Sequence, residues 1–270
     1  AYVFVRDAAT GTWSQQALLK ASNPSAGDRF GESIDISGDT IVVGATNEDT
    51  GAGNSGAAYV FVRDTSTNTW SEQAMLKASN AGGNDYFGHD VAVDGDTIAV
   101  GADEEDSGAS NSGAAYVFVR DTATNTWSEQ AMLKAANPEA NDNFGWKIAM
   151  DGDTVAVSAI NEDGGIAGVN GDQADNSATD SGAVYVFTRD ATGTWSQQAY
   201  LKAATPNSPV QMGVGLAVDG DTVVVGSSRD TSAHVFVRDA AGSWSQQAFL
   251  QSNNLDTGDN FGRNVDIDGD

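Results

Sequence analysis

Clusters of acidic and amide side chains recur along the sequence and could supply the oxygen atoms of a metal site. Three such clusters follow short apolar runs at equivalent places in the chain. Hard oxygen ligands of this kind bind Ca²⁺ when several of them converge. A solvated acidic turn repeated by duplication would look the same, so both interpretations stay open. The candidate metal ligands are Asn47, Glu48, Asp49, Asp103, Glu104, Asp106, Asn161, Glu162 and Asp163.

An insertion after the third cluster carries Asp172, Asp175 and Asp180. Binding residues on rigid β scaffolds concentrate in long loops, so we predict that these aspartates belong to a ligand-binding loop. Calcium is the one cofactor that the sequence suggests, and no other cofactor-binding residue is predicted.

Catalytic side chains are scarce. The two histidines are predicted to be structural, because His89 follows a Phe-Gly pair and His234 replaces a strand tyrosine. No serine stands near a plausible histidine-carboxylate pair by motif, and the chain has no cysteine to act as a nucleophile or form a disulfide. We therefore predict no catalytic residue and no enzyme. A carboxylate-based glycosidase or lyase is the catalytic alternative, because paired carboxylates need no sequence signature.

The charge restricts the partners. The formal net charge is −25, from 38 acidic and 13 basic residues. A field of that sign repels phosphate backbones and anionic lipids, which argues against nucleic acid as a partner. No apolar run reaches 18 residues, so membrane insertion is not expected. The charge suits cations or cationic patches on partners, and it also suits solubility alone.

One unit repeats along the whole chain. Ala-Tyr-Val-Phe-Val-Arg-Asp opens at Ala1, and variants of it return four times; each is followed by a Thr/Ser-Trp-Ser motif. A Phe-Gly pair comes next, replaced once by Met212-Gly213. We predict that residues 1–270 form one domain or a fragment of one. The repeats cover approximately residues 28–78, 85–135, 142–203 and 210–251, and residues 259–270 together with 1–20.

Each unit is predicted to contain four strands. The first two are joined by a two-residue turn such as Asp94-Gly95-Asp96, where glycine supplies the positive φ that hairpin turns need. The third is the Tyr-Val-Phe-Val run, apolar on both faces and therefore sandwiched between layers. The fourth, such as Trp70–Lys77, also fits a helix by composition. The tryptophans, one per unit at a fixed strand position, are predicted to serve packing, with sugar stacking as the alternative. The arginines that end the third strands are predicted to form ion pairs.

Four antiparallel strands with a period of roughly 50–60 residues predict an all-β chain and a β-propeller of four-stranded antiparallel blades. Five repeats are visible and the fifth is incomplete. A linear β-solenoid or a string of small sandwiches is the structural alternative. Strand alternation puts the long connections, between strands two and three (2–3) and between successive units (4–1), on one face. That face is the candidate binding face.

The unit resembles the FG-GAP repeat. Phe-Gly opens its first strand, and Val-Val-Gly-Ala, as at Val42–Ala45, closes its second. That repeat builds the propeller of integrin α subunits and occurs in many bacterial surface and secreted proteins; the sequence is most similar to the bacterial form. Integrin-type blades often hold calcium between strands one and two, but a two-residue turn such as Asp151-Gly152-Asp153 leaves no room for that site.

The resemblance implies recognition and adhesion rather than catalysis. We therefore expect a secreted or cell-surface module that binds a protein or a glycan through the 2–3 and 4–1 loops. The alternative is a structural module that assembles with copies of itself into a surface layer or an extracellular fibre.

Overall fold

The computed structural model of the chain describes residues 1–206, 209–227, 229, 231–254 and 260–269. Within these residues the protein forms four four-stranded antiparallel sheets and one two-stranded sheet. The sheets are the blades of a β-propeller, which confirms the predicted fold class. No helix in this part of the chain could span a membrane. The predicted fourth 2–3 loop and fifth repeat include residues 228, 230, 259 and 270, which lie outside the described residues.

Strand order within each blade follows the sequence. The two-stranded sheet comes first in the chain and comprises β1 (Tyr2–Arg6) and β2 (Trp13–Leu18). The first blade comprises β3 (Ile34–Ser37), β4 (Thr40–Ala45), β5 (Ala57–Asp64) and β6 (Thr69–Leu76). The second blade comprises β7 (Val91–Asp94), β8 (Thr97–Ala102), β9 (Ala114–Asp121) and β10 (Thr126–Leu133). The third blade comprises β11 (Phe144–Asp151), β12 (Thr154–Ala159), β13 (Ala183–Arg189) and β14 (Trp195–Leu201), and the fourth comprises β15 (Met212–Asp219), β16 (Thr222–Ser227), β17 (Ser232–Arg238) and β18 (Trp244–Gln251).

The strands within a blade differ in burial as the pattern predicts. All six residues of β4 are buried, because neighbouring layers cover both of its faces. The fourth segment is a strand and not a helix, and β6 pairs with the third strand along its length except for an irregularity at Gln73. Ser37 pairs with Thr40, which leaves Gly38 and Asp39 as a two-residue turn with Gly38 at a φ of 55°.

Neighbouring blades pack through the Phe-Gly pair. The ring of Phe87 meets Tyr116 edge-on at a centroid distance of 5.5 Å, within its own blade. Its backbone meanwhile forms a parallel bridge with Gly56 of the first blade. A Cβ on Gly56 would lie 2.0 Å from the carbonyl oxygen of Phe87, and Gly56 has a φ of +77°. Only glycine fits both requirements.

The first strands of the blades surround a central channel. Residues from β3, β7, β11 and β15 line it together with Asn264, Val265 and Asp266. The sheet of β1 and β2 packs on the first blade through Val3, Ala17 and Leu19. Among the described residues, no strand pairs with the other edge of β1.

Candidate functional site

The 2–3 and 4–1 connections lie on one face of the propeller, which we call the loop face. A buried ion pair fixes the first 2–3 loop on this face. The ammonium of Lys77 donates to the Glu48 carboxylate at 2.7 Å and to the Ser55 hydroxyl at 2.8 Å. The amide of Asn23 donates to the same carboxylate at 2.9 Å. Burial opposes ionisation of Glu48, but the bonds from Lys77 and Thr50 outweigh it and lower the pKa. The loop therefore closes around a charged carboxylate.

The same network recurs in the next two blades. Lys134 donates to Glu105 at 2.8 Å in the second blade. In the third blade Lys202 donates to Glu162 at 3.2 Å, and both side chains are only 1% exposed. The Tyr200 hydroxyl adds a bond to Glu162 at 2.7 Å. Burial lowers the pKa of Lys202, while the charge of Glu162 opposes that shift.

In the described residues of the fourth blade this network does not recur. Strand β18 of this blade ends in Gln251, at the position that Lys77 occupies after β6. His234 replaces the tyrosine of the third strand, as the sequence predicts, and its ring lies 6.5 Å from Phe236. Where the short loop has no glutamate, the lysine is absent too.

The other predicted metal ligands bond mainly to the backbone and side chains of their own blades. An aspartate accepts the backbone N–H near the far end of each loop: Asp49 from Asn54 at 2.7 Å, Asp106 from Asn111 at 2.7 Å and Asp163 from Asp180 at 2.9 Å. Asn161 exchanges hydrogen bonds with Asn143 and Gln211, Asn47 accepts from Thr46, and Glu104 is half-buried.

Within the described residues, no group of three or more His, Asp or Glu side chains is arranged to hold a metal ion. Two of the predicted ligands, Glu48 and Glu162, instead bind lysine ammonium groups. Calcium binding therefore stays a prediction, with the exposed carboxylates of the loop face as the groups open to it.

The insertion of the third loop is organised by its own aspartates. Asp175 accepts from the Gly165 backbone at 2.6 Å and from the Ser177 hydroxyl at 2.7 Å, and these bonds lower its pKa. Asp172 accepts from the Ala174 backbone at 3.0 Å. The Asp180 carbonyl accepts from the Gln211 backbone at 3.0 Å, which joins the loop to the fourth blade.

A second group consists of the residues that directly follow each Phe-Gly pair: Glu32, His89, Trp146, Val214 after Met212-Gly213, and Arg263. Trp146, Val214 and Arg263 line one cavity. The His89 and Trp146 rings are 4.6 Å apart. Asp103 lies 3.9 Å from His89, and one of its buried carboxylate oxygens has no hydrogen-bond partner among the described residues. Burial raises the pKa of Asp103 to about 6, although His89 opposes the shift.

On the face opposite the loop face, the arginines that end the third strands form ion pairs. Arg63 donates to Asp39 of the 1–2 turn at 2.6 Å, and its guanidinium lies 5.9 Å from the centre of the Trp70 ring. The Trp70 indole N–H donates to Gln16 of the preceding sheet at 2.7 Å. The tryptophan thus links successive sheets, and the ion pair joins the two short connections of one blade.

Three groups of the loop face were missing from the sequence predictions. Glu105 is the equivalent of Glu48, and aligning the repeats in register would have identified it. The lysines lie in a Leu-Lys-Ala motif after the fourth strand of the first three blades, and Lys77 is 29 residues from Glu48. Trp146 is the one tryptophan outside the Thr/Ser-Trp-Ser motif, since the chain has six.

The FG-GAP repeat family model matches residues 13–61, 70–118 and 127–187, which is more than half of the chain. The chain belongs to the FG-GAP repeat family. Such repeats are typical of extracellular and surface proteins. The matched segments include Glu48, Glu105 and Glu162 together with Lys77 and Lys134, whereas Lys202 lies beyond the third match.

Solved structures share the fold of this FG-GAP repeat protein. A protein from Lactobacillus plantarum matches with a TM-score of 0.57 and 16% sequence identity. The match covers 94% of this chain and 64% of that chain, so the present chain spans less than two thirds of its neighbour. At this identity the likeness concerns the fold alone. A search of the curated proteins found no match.

Proposed function

We propose that the protein is a secreted or cell-surface recognition module that binds a protein or a glycan through its loop face and has no enzymatic activity. The observation that carries the proposal is the buried Glu–Lys–Ser network in three successive loops. Burying an ion pair is a costly way to stabilise a fold. The network instead gives each loop one conformation, which lowers the entropic cost of binding a partner.

A loop transplant tests this proposal. Replacing residues 163–180 with residues 106–111 removes the insertion but keeps Glu162, Ser181 and Lys202, so the buried network stays intact. We expect the thermal midpoint to stay near the wild-type value while binding to an array of glycans and extracellular-matrix proteins is lost.

The matched control replaces residues 49–54 with residues 106–111, a segment of equal length, and should retain binding. Wild-type binding by the shortened variant, or an array on which the wild type binds nothing, would contradict the proposal.

A second candidate function is self-assembly. Tyr2, Phe4 and Trp13 are all more than half exposed and lie on a sheet whose strand β1 has a free edge among the described residues. Exposed edges of this kind pair with other chains. Sedimentation velocity at rising concentration should then show growing species that disappear in the Phe4→Lys variant, whereas a strict monomer would exclude this function.

A further inference from the structure

The protein has 38 acidic residues and only 13 basic ones, yet four of its cations have no carboxylate partner in the part of the chain that the structure describes. Among the described residues, the cations without an ion pair are Arg6, Lys20, Arg229 and Arg263. The repeat accounts for Arg6 and Lys20, whose equivalents in complete blades bind an aspartate of the 1–2 turn and a glutamate of the 2–3 loop. Arg229 and Arg263 have no such equivalents.

Both of these arginines line one cavity on the loop face, beside the mouth of the central channel. Its volume is about 600 Å³, which falls in the range of small-molecule sites, roughly 300–1,000 Å³. Trp146, Lys147 and Gln211 also line it, and the described lining contains no aspartate or glutamate. The described lining of the cavity is therefore cationic, in a strongly acidic protein.

The guanidinium groups are largely free to bind a ligand. Arg229 uses its Nε to donate to Gln211 at 3.1 Å, and no other side-chain bond occupies it within the described residues. The guanidinium of Arg263 makes none there. Lys147 is already paired with Asp90 at 3.0 Å. The two arginines are thus the available anchors, and their planar forks match a carboxylate in geometry.

Trp146 adds an aromatic wall to the same cavity. In the four complete blades each motif tryptophan donates its indole N–H to a glutamine of the preceding sheet. The indole N–H of Trp146 has no acceptor among the described residues, although its ring contacts His89. An aromatic ring with a free donor, next to polar side chains, suits a ligand that has both an apolar face and hydroxyl groups.

We propose that this cavity binds a sugar acid, with its ring against Trp146 and its carboxylate held by Arg229 and Arg263. The inference rests on the proposed function, because it assigns a ligand class to the same loop face. A neutral sugar would leave both arginines unpaired. An acidic peptide has the charge, but its carboxylate side chains lack the ring that Trp146 would contact.

The probes are short oligomers of galacturonate, alginate and hyaluronan, titrated into the full chain by calorimetry. We expect at least one of them to bind with a Kd tighter than about 1 mM. The methyl-esterified galacturonate oligomer, which has the same ring without the charge, should bind at least about tenfold more weakly, because a charge-assisted bond is lost.

Variants assign the binding to the cavity. Arg229→Gln and Arg263→Gln should each weaken binding about tenfold and leave the thermal midpoint unchanged, since neither arginine has an ion pair within the described structure. Trp146→Leu should weaken binding as well, and its thermal midpoint checks its folding. The matched control is Arg29→Gln, an exposed arginine of the same face that pairs with Glu32 outside the cavity.

Several outcomes would overturn the inference and leave the proposed function standing. In one, the wild type binds a ligand on the array but none of the uronate oligomers, and the Arg229→Gln/Arg263→Gln double variant binds the same array ligand equally well. Another is tight binding of polyglutamate without binding of the uronates. By contrast, loss of array binding in the loop transplant with unchanged uronate affinity would support both proposals and show that the insertion and the cavity are separate sites.

Discussion

Lys202 and Glu162 illustrate how single residues determine the shape of the loop face. Removing two charges from water costs several kcal/mol per ion, and their attraction recovers that cost only when the remaining hydrogen-bond capacity is filled. Here it is filled: Lys202 also donates to the Ser181 hydroxyl at 2.5 Å and to the Gly182 carbonyl at 2.8 Å. The pair ties the end of β14 to the start of β13, and the long insertion between Glu162 and Ser181 leaves this anchor unchanged.

Lys202→Met should destabilise the protein by about 3–5 kcal/mol, because Glu162 would remain buried without its cation. The matched control is Lys20→Met. Lys20 holds the same repeat position after β2 but is exposed and has no ion pair within the described structure. Urea unfolding followed by tryptophan fluorescence measures both. Equal stabilities for the two variants would show that the buried pair contributes nothing to the folded state.

Asp142 predicts a pH dependence. Burial is the main reason that its pKa rises from 3.8 to about 7, and the negative charges of Glu162 and Glu139 add to it, against a hydrogen bond from the Glu139 backbone. The folded protein thus holds this proton at pH values where the unfolded chain has released it. Its contribution to stability is complete below the unfolded pKa and is lost as the pH rises through about 7.

Asp142→Asn should therefore flatten the decline in thermal midpoint between pH 5 and pH 8, by at least about 2 °C relative to wild type. Asparagine can still accept the Glu139 backbone N–H through its side-chain carbonyl. Thermal unfolding followed by circular dichroism at the two pH values makes the comparison. Parallel declines in both proteins would mean that Asp142 titrates well below pH 7.

At the scale of elements, the strands were predictable and the loops were not. The Asp-Gly-Asp turns predict the first and second strands, and the Tyr-Val-Phe-Val runs predict the third. Both patterns can be read from a few neighbouring residues, without knowledge of the rest of the fold. The fourth segment is ambiguous from sequence, since its strand identity depends on pairing with its neighbour. An acidic residue in a loop is normally expected to be exposed. The burial of Glu48 could therefore be inferred only by recognising its partner Lys77, which lies two strands further along the chain.

The close approach between blades gives a prediction about an element junction. Gly56→Ala should cost at least about 2 kcal/mol, because the new Cβ would meet the Phe87 carbonyl oxygen and the positive φ adds strain. Gly53→Ala in the same loop is the control, since a Cβ there has no neighbour within 4 Å. Chemical denaturation of both variants measures the difference, and a tolerated Gly56→Ala would place the Phe-Gly segment further from the loop.

The whole molecule has a formal charge of −25, and that charge acts on folding as well as on partners. Like charges at such density repel one another in the compact state and weaken it. The same net negative charge repels an anionic ligand, so the two arginines of the cavity must attract that ligand over a short distance. At an ionic strength of about 0.15 M the screening length is about 8 Å, and local cations then outweigh the distant carboxylates.

Sodium chloride should accordingly raise the thermal midpoint, with most of the gain below about 0.15 M, where the screening length falls fastest. The same titration tests the calcium prediction when CaCl2 and MgCl2 are compared at equal ionic strength. Because most predicted ligands are bonded to their own blades, we expect the two salts to act alike. A larger rise in thermal midpoint with calcium, reversed by a chelator, would instead mean that exposed carboxylates of neighbouring loops converge on an ion. The Asp49→Asn and Asp106→Asn variants would then show a smaller rise.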